Sequence, residues 1–248
     1  MDLDGTVTVL TGASGGIGRA VAHHLVDQGG RLVLVARRPG PLAELAADLR
    51  ARGGDVVTVP GDVSDPATAR SAVDRAVQRF GRLDVLANAA GFGPPRPLVD
   101  LPKAAWDATI ASCLTGTYVM CRAVLPPLLA AGRGRIVNVS SIAGRVAEAN
   151  RTAYCAAKWG LEGFSAALRH ELEGTGVRLH LLNPAAVATG WWEVTDDPQP
   201  AEVLDRMMTP DDVARALVWV LSQPDHLQVD ALVLRNTTSP WSQPPVRG

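Results

Sequence analysis

Residues 5–28 constrain the fold most. An apolar run, Thr-Val-Thr-Val-Leu at 6–10, leads into Thr11-Gly-Ala-Ser-Gly-Gly-Ile-Gly18, which passes at once into an apolar-periodic segment through Leu25 to about residue 28. The pattern predicts strand, glycine turn and helix. A strand this continuously apolar is covered on both faces, as in parallel sheets flanked by helices. Glycines at 12, 16 and 18 leave room for a pyrophosphate against the backbone, and a helix starting there aims free amides and its positive dipole end at that group. The spacing is Gly-x-x-x-Gly-x-Gly, not the Gly-x-Gly-x-x-Gly of the general dinucleotide fingerprint. A tight turn without a ligand is therefore the alternative.

The same alternation recurs along the chain. Apolar runs at 31–36, 55–60, 83–87, 135–139, 177–182 and 231–234 predict strands, and periodic stretches at 41–52, 66–80, 102–129, 152–173 and 210–221 predict helices. Ser64-Asp65-Pro66 reads as the cap of the helix at 66–80, and Thr209 with Asp211 and Asp212 as the cap of the last. Pro126 and Pro127 predict a break or bend in the helix at 102–129. Residues 93–97 and 191–208 read as irregular, and a Ser/Pro-rich tail follows Asn236. Together these predict one α/β domain over 1–248, a Rossmann-like doubly wound parallel sheet of about seven strands with helices on both faces and right-handed crossovers. The cofactor half takes about 1–140, the catalytic and substrate half about 141–240, with a lid at about 190–208.

The 248 residues are 47% apolar and only 4% aromatic, so the core is built of Val, Leu and Ala. With 24 basic and 25 acidic residues and no block of either sign, no footprint for nucleic acid or a membrane surface is read. Small molecules are the expected partners. Without an N-terminal signal pattern, or an apolar run approaching about 18 residues, a cytoplasmic protein is expected. Cys113, Cys121 and Cys155 are odd in number and lie in helical patterns, which suits reduced thiols. No metal-ligand set is assigned.

The stretch 151–158 places a phenol and an ammonium four residues apart, so Tyr154 and Lys158 share one helix face. An ammonium a few ångströms from a phenol favours the phenolate, and such a pair can give and take a proton near neutrality. A surface pair is the alternative. Ser141, at the end of the strand at 135–139, carries a hydroxyl able to donate to a substrate carbonyl or to cap the chain. The strand at 31–36 ends in Ala36-Arg37-Arg38, where a site for an unphosphorylated ribose commonly carries a carboxylate. Guanidinium groups there suit a 2′-phosphate, so Arg37 and Arg38 predict NADP(H). Asp62 and Val63 fall at the sheet edge where doubly wound folds bind ligands. Phe92, Arg145, Trp191 and Trp192 are read as contacts for a bulky, apolar or aromatic substrate, with the two tryptophans in a lid. Core packing of the indoles is the alternative.

Five separated motifs in one order carry a resemblance, over nearly the whole chain, to the short-chain dehydrogenase/reductase family. TGASGGIG at 11–18 resembles its cofactor loop, which implies contacts from Gly12, Ser14, Gly16, Ile17 and Gly18. Asp62-Val63 resembles its adenine contact, and Asn88, Ala89 and Gly91 belong to the NAAG element that supports the central sheet beside the cofactor. Ser141, thirteen residues before Tyr154, falls where the family's catalytic serine lies. Tyr154 and Lys158 match its acid–base pair, and Pro184, Val187 and Thr189 match the segment holding the nicotinamide carboxamide. The ending Ala-Arg-Arg is similar to NADP-preferring members, and the stretch 209–238 to a branch that includes 3-hydroxy acid and clavulanate-type dehydrogenases.

The resemblance implies reduction of a ketone or aldehyde by NADPH. Tyr154 protonates the nascent alkoxide, Ser141 bonds the same oxygen, and Lys158 holds the nicotinamide ribose. It also implies a homodimer or homotetramer paired through the helices at 104–129 and 152–173, with Val119, Leu125, Leu161, Phe164 and Leu168 in the interface. Two departures stand out. Cys113 replaces an asparagine that, in the family, holds open a helix turn and a water leading to the lysine, and a thiol is a poor hydrogen-bonding substitute. Ala185 replaces a glycine, losing free access to positive φ. Two other readings stay open: a non-catalytic NADP-binding sensor or scaffold, and a biosynthetic member acting on an imine or assisting a cyclisation.

Overall fold

Strands β1 (Val7–Thr11), β2 (Arg31–Ala36), β3 (Val56–Pro60), β4 (Val85–Asn88), β5 (Gly134–Val139), β6 (Val177–Pro184) and β7 (Ala231–Leu234) form one sheet in a computed structural model that describes residues 2–192, 195 and 198–240. The strand order is β3-β2-β1-β4-β5-β6-β7, and every neighbouring pair is parallel. Chain order reverses between β1 and β4, which opens a crevice at the carboxyl ends of these two strands. The predicted doubly wound α/β sheet is the observed one.

Helices α1 (Gly16–Asp27), α2 (Pro39–Ala51), α3 (Pro66–Phe80), α4 (Lys103–Ile110), α5 (Gly116–Ala131), α6 (Thr152–Glu171), α7 (Ala201–Leu204) and α8 (Pro210–Ser222) complete the chain. Successive strand residues point to opposite faces and feed two cores. Leu10, Leu32 and Leu34 pack with Leu25, Leu45, Leu217 and Leu221 of α1, α2 and α8, whereas Val7, Val9, Val33 and Val35 pack with Ala72, Met120, Val124 and Leu168 of α3, α5 and α6. Each leucine so buried contributes about 1.5–3 kcal/mol. Both predicted caps form: the Asp65 carboxylate accepts from the Ala67 amide at 2.8 Å, and Thr209 and Asp212 make a reciprocal capping box on α8.

The long helix departs from expectation. Pro126 and Pro127 lie inside α5, which continues through them to Ala131 and ends at Gly132 with φ 63°. The irregularity falls earlier, in a π turn over Ala111–Thr115. There the Gly116 amide bonds the Ala111 carbonyl, and the Thr117 hydroxyl donates to the Cys113 carbonyl at 3.1 Å, satisfying a backbone acceptor of the widened turn. Contrary to the expected lack of long apolar runs, Lys103–Ala131 is long and apolar enough, by length and composition, to cross a membrane. Its Met120, Cys121, Val124 and Leu128 are buried in the core of this fold.

Residues 191–208 are less irregular than expected, since they contain α7, and Met208 forms a parallel bridge to Val187. Residues 193, 194, 196 and 197 of the expected lid, and the tail from 241, lie outside the described residues. The three cysteines are free and buried, and burial pushes the Cys121 thiol up to about 12.

Candidate active site

The carboxyl ends of β4, β5 and β6 and the first turn of α6 surround a cavity of about 420 Å³, within the range of small-molecule sites. Ser141, Tyr154 and Lys158 all line it. Strand β5 delivers Ser141 at its carboxyl end, where the hydroxyl accepts from the Ala143 amide at 3.1 Å and lies 3.4 Å from the Pro184 carbonyl. It therefore caps a turn and faces the cavity at once. Tyr154 is held in place from the other side by the 93–97 loop: a Cβ on Gly93 would meet Tyr154 Cδ2 at 2.6 Å, so only glycine lets the loop lie this close to the ring.

Lys158 is buried, and its ammonium donates to the Val139 carbonyl at 2.9 Å while lying 5.5 Å from the centre of the Tyr154 ring. The Tyr–Lys pair is thus part of a cavity wall, not a surface pair. Cys113 sits in the π turn beside it and donates to the Phe92 carbonyl at 3.3 Å. The open turn expected of an asparagine is present with a cysteine. Ala185 is also unstrained, because Asn150 is the one non-glycine residue with positive φ among the described residues. The Ala185 amide instead continues the sheet by bonding the Leu234 carbonyl at 2.9 Å.

The glycine turn is built to stay bare. Helix α1 is preceded at its N-cap position by Gly15, which offers no side-chain cap, so its first amides are left to an incoming group. Gly12 has φ 65°, and a Cβ there would meet the Ala89 carbonyl oxygen at 2.7 Å, so this glycine lets β1 and β4 turn away side by side. A Cβ on Gly18 would come closer still to the Gly12 carbonyl oxygen, and Gly16 faces Thr189. Ile17, Ala89, Gly91, Pro184, Val187 and Thr189 line the cavity, whereas Gly12, Ser14, Gly16 and Gly18 lie beyond its lining.

Three of the predicted cofactor residues are held by neighbours within the chain, and Asn88 supports the central sheet as expected of its element. Asn88 is buried, and its amide donates to Asn138 Oδ1 at 3.0 Å, with Asn138 in turn donating to Ser165 at 3.0 Å. It ties β4 to β5 and α6 and does not line the cavity. Val63 is in the core, where its side chain packs on Gly116. The Asp62 carboxylate accepts from the Ser64 hydroxyl at 2.7 Å and the Ser64 amide at 2.8 Å. These bonds, with Arg37 further off, hold its carboxyl below the usual range against the opposing effect of burial. Arg37 and Arg38 are both exposed at the end of β2. Arg37 turns toward the site, its guanidinium 5.3 Å from the centre of the Phe92 ring.

Of the expected substrate contacts, Phe92, Trp191 and Trp192 line the cavity and Arg145 does not. Arg145 is drawn away to Glu162 at 3.3 Å, and Glu162 also accepts from Asn183, whose amide reaches the Ser141 carbonyl at 3.3 Å. Trp192 is buried, with Nε1 donating to the Val187 carbonyl at 2.8 Å, and the two indoles meet edge to face at 4.6 Å. Core packing and cavity wall are here the same thing. Sequence reasoning missed Glu148, Arg151 and Arg235, all of which line the cavity. Arg151 lies one helical turn before Tyr154 and Arg235 directly follows the last strand, and those two placements were the available signals.

A doubly wound sheet with a bare glycine turn and a Ser–Tyr–Lys set in one crevice defines a dinucleotide-dependent oxidoreductase architecture. The family described as short chain dehydrogenase matches residues 6–199. D-threitol dehydrogenase of Mycolicibacterium smegmatis is 38% identical over 229 residues, 89% of this chain and 87% of that protein. A metagenomic short-chain oxidoreductase solved in complex with NADP superposes with a TM-score of 0.81 at 34% identity, covering 96% of this chain and all of that one. An alcohol dehydrogenase from Thermococcus sibiricus, solved with 5-hydroxy-NADP, gives 0.85 at 28% identity over 96% of this chain and 98% of that one. This chain belongs to the short-chain dehydrogenase/reductase family and is an NAD(P)-dependent oxidoreductase.

Proposed function

We propose that the protein reduces the carbonyl of a small, largely apolar ketone or aldehyde with NADPH. The convergence of Ser141, Tyr154 and Lys158 on one partly apolar cavity carries this reading. The residues present fit the dinucleotide. The uncapped start of α1 suits its pyrophosphate, Arg37 its 2′-phosphate, and Ile17, Val187 and Thr189 the wall against its nicotinamide. When bound, NADPH supplies the hydride. Tyr154 gives its proton to the carbonyl oxygen as that oxygen becomes an alkoxide, and Ser141 donates a hydrogen bond to the same atom. The bond to the Val139 carbonyl fixes the buried Lys158 beside the Tyr154 ring, where its ammonium is placed to hold the nicotinamide ribose. The NADP complex of the metagenomic relative supports the choice of coenzyme. A cytoplasmic homodimer or homotetramer completes the reading.

NADPH consumption over a panel of ketones and aldehydes tests it. Tyr154→Phe should lower turnover at least ~10²-fold, the scale of a lost general acid, with coenzyme affinity near that of the wild type. Near-normal turnover in this variant would refute the assignment of the acid.

A further inference from the structure

Five lining residues of the cavity carry ionisable side chains among the described ones: Glu148, Arg151, Tyr154, Lys158 and Arg235. Lys158 is bonded to the Val139 carbonyl beside Tyr154. Arg151 precedes Tyr154 by one helical turn, roughly 5 Å along the axis. Its guanidinium stands 5.7 Å and 5.5 Å from the ring centres of Trp191 and Trp192, and it is 3.1 Å from Glu148 Oε2. Glu148 is therefore answered, and the two indoles hold Arg151 at the wall through cation–π contacts. Arg235 is placed by β7, whose Leu234 carbonyl accepts from Ala185, itself a lining residue. Among the described residues no carboxylate pairs with Arg235.

We infer that the substrate is an aromatic keto acid: a flat apolar body against Trp191 and Trp192, a carbonyl at Tyr154 and Ser141, and a carboxylate received by Arg235. The inference deepens the carbonyl-reductase reading and rests on it. Among the described residues, three cations face one carboxylate in this cavity, and that carboxylate is already bound to Arg151. A neutral substrate leaves the Arg235 charge unused, whereas a carboxylate matches the planar guanidinium fork. A cationic substrate is repelled. The edge-to-face indoles, with the Arg151 guanidinium near both, form an aromatic wall on which a flat ring finds contact area at little entropic cost.

The test uses 4-oxo-4-phenylbutanoate and its methyl ester, which differ in charge and little in shape, with the NADP-loaded protein. Turnover is read by NADPH consumption, and binding to the NADP⁺ complex by quenching of tryptophan fluorescence. The acid should exceed the ester at least ~10-fold in kcat/KM and in affinity at low salt, and the ratio should shrink as salt rises. Arg235→Gln should bring the acid-to-ester ratio close to one, and Arg235→Lys should restore part of it. Equal handling of acid and ester by the wild type, or a ratio unmoved by Arg235→Gln, overturns the inference. So does absence of binding of both compounds. Reduction of both at equal rates would leave the reductase reading standing without the acid specificity. Arg235-dependent binding of the acid without turnover of either compound would do the reverse.

Discussion

Tyr154 and Arg37 mark the two ends of the site, and at the scale of single residues each gets its meaning from a neighbour. Tyr154 is set by Gly93 and Lys158, while Arg37 is set by Phe92, over whose ring its guanidinium lies at 5.3 Å. That contact holds Arg37 over the crevice beside the end of β2, whereas Arg38 leads into Pro39 at the start of α2 and has no such contact among the described residues. A guanidinium on a phosphate gains about 1.5–3 kcal/mol per charge-assisted bond, and solvent erodes this at an exposed position. One such bond corresponds to about tenfold in affinity. Arg37→Ala should therefore weaken NADPH binding roughly tenfold in a calorimetric titration and leave NADH nearly unchanged. Equal loss for both coenzymes would reduce Arg37 to a solvated helix entrance.

At the scale of elements, β6 carries a titratable group whose sequence setting revealed nothing of its role. His180 is fully buried, with Nδ1 at 2.8 Å from the Val229 carbonyl. Burial lowers its pKa to about 4, opposed by the bond to Val229 and reinforced by Arg135, Arg178 and Arg169. Below 6.5 the unfolded chain takes up a proton that the folded chain refuses until about pH 4. Stability therefore falls with pH across that window and is unaffected above it. The one and a half pH units between 6.5 and 5 correspond to about 2 kcal/mol. Denaturant unfolding at pH 7.5 and pH 5 should show this loss in the wild type and much less of it in His180→Gln. The same slope in both proteins would rule His180 out. The depressed carboxylates Asp62, Asp212 and Asp225 act in a lower window, as pH falls through and below 3.8, and do not obscure it.

For the whole molecule, the proposed self-association would use a different surface from the one named on the sequence. Val119, Leu161 and Leu168 are buried within the subunit, because α5 and α6 use those positions to cover the sheet and the π turn. The two helices leave Tyr118, Leu129 and Trp159 exposed, and Tyr118 meets Phe164 edge to face at 6.4 Å, so that α5 and α6 present an apolar face at that contact. An apolar face of this kind is the expected seat of a two-fold contact. Sedimentation at micromolar concentration should give a dimer or tetramer, and Trp159→Glu should shift it toward monomer. A wild-type monomer would contradict the assignment.

The alternation of apolar strands with periodic helices, the bare glycine turn and the four-residue step from Tyr154 to Lys158 were legible in the chain, because each depends on neighbours in sequence. Periodicity shows which side of an element is apolar, and turn chemistry shows where it stops. The tertiary structure decided what depends on partners far along the chain: that Asn88 faces Asn138, that Glu162 takes Arg145 out of the cavity, and that Arg235 enters it from the last strand. It also moved the irregular turn from the prolines to Cys113, whose surroundings come from Phe92 and α6. A local pattern specifies which elements form and which of their faces are apolar. Which polar side chains meet, and which are left to face a substrate, is settled by the packing of elements against one another.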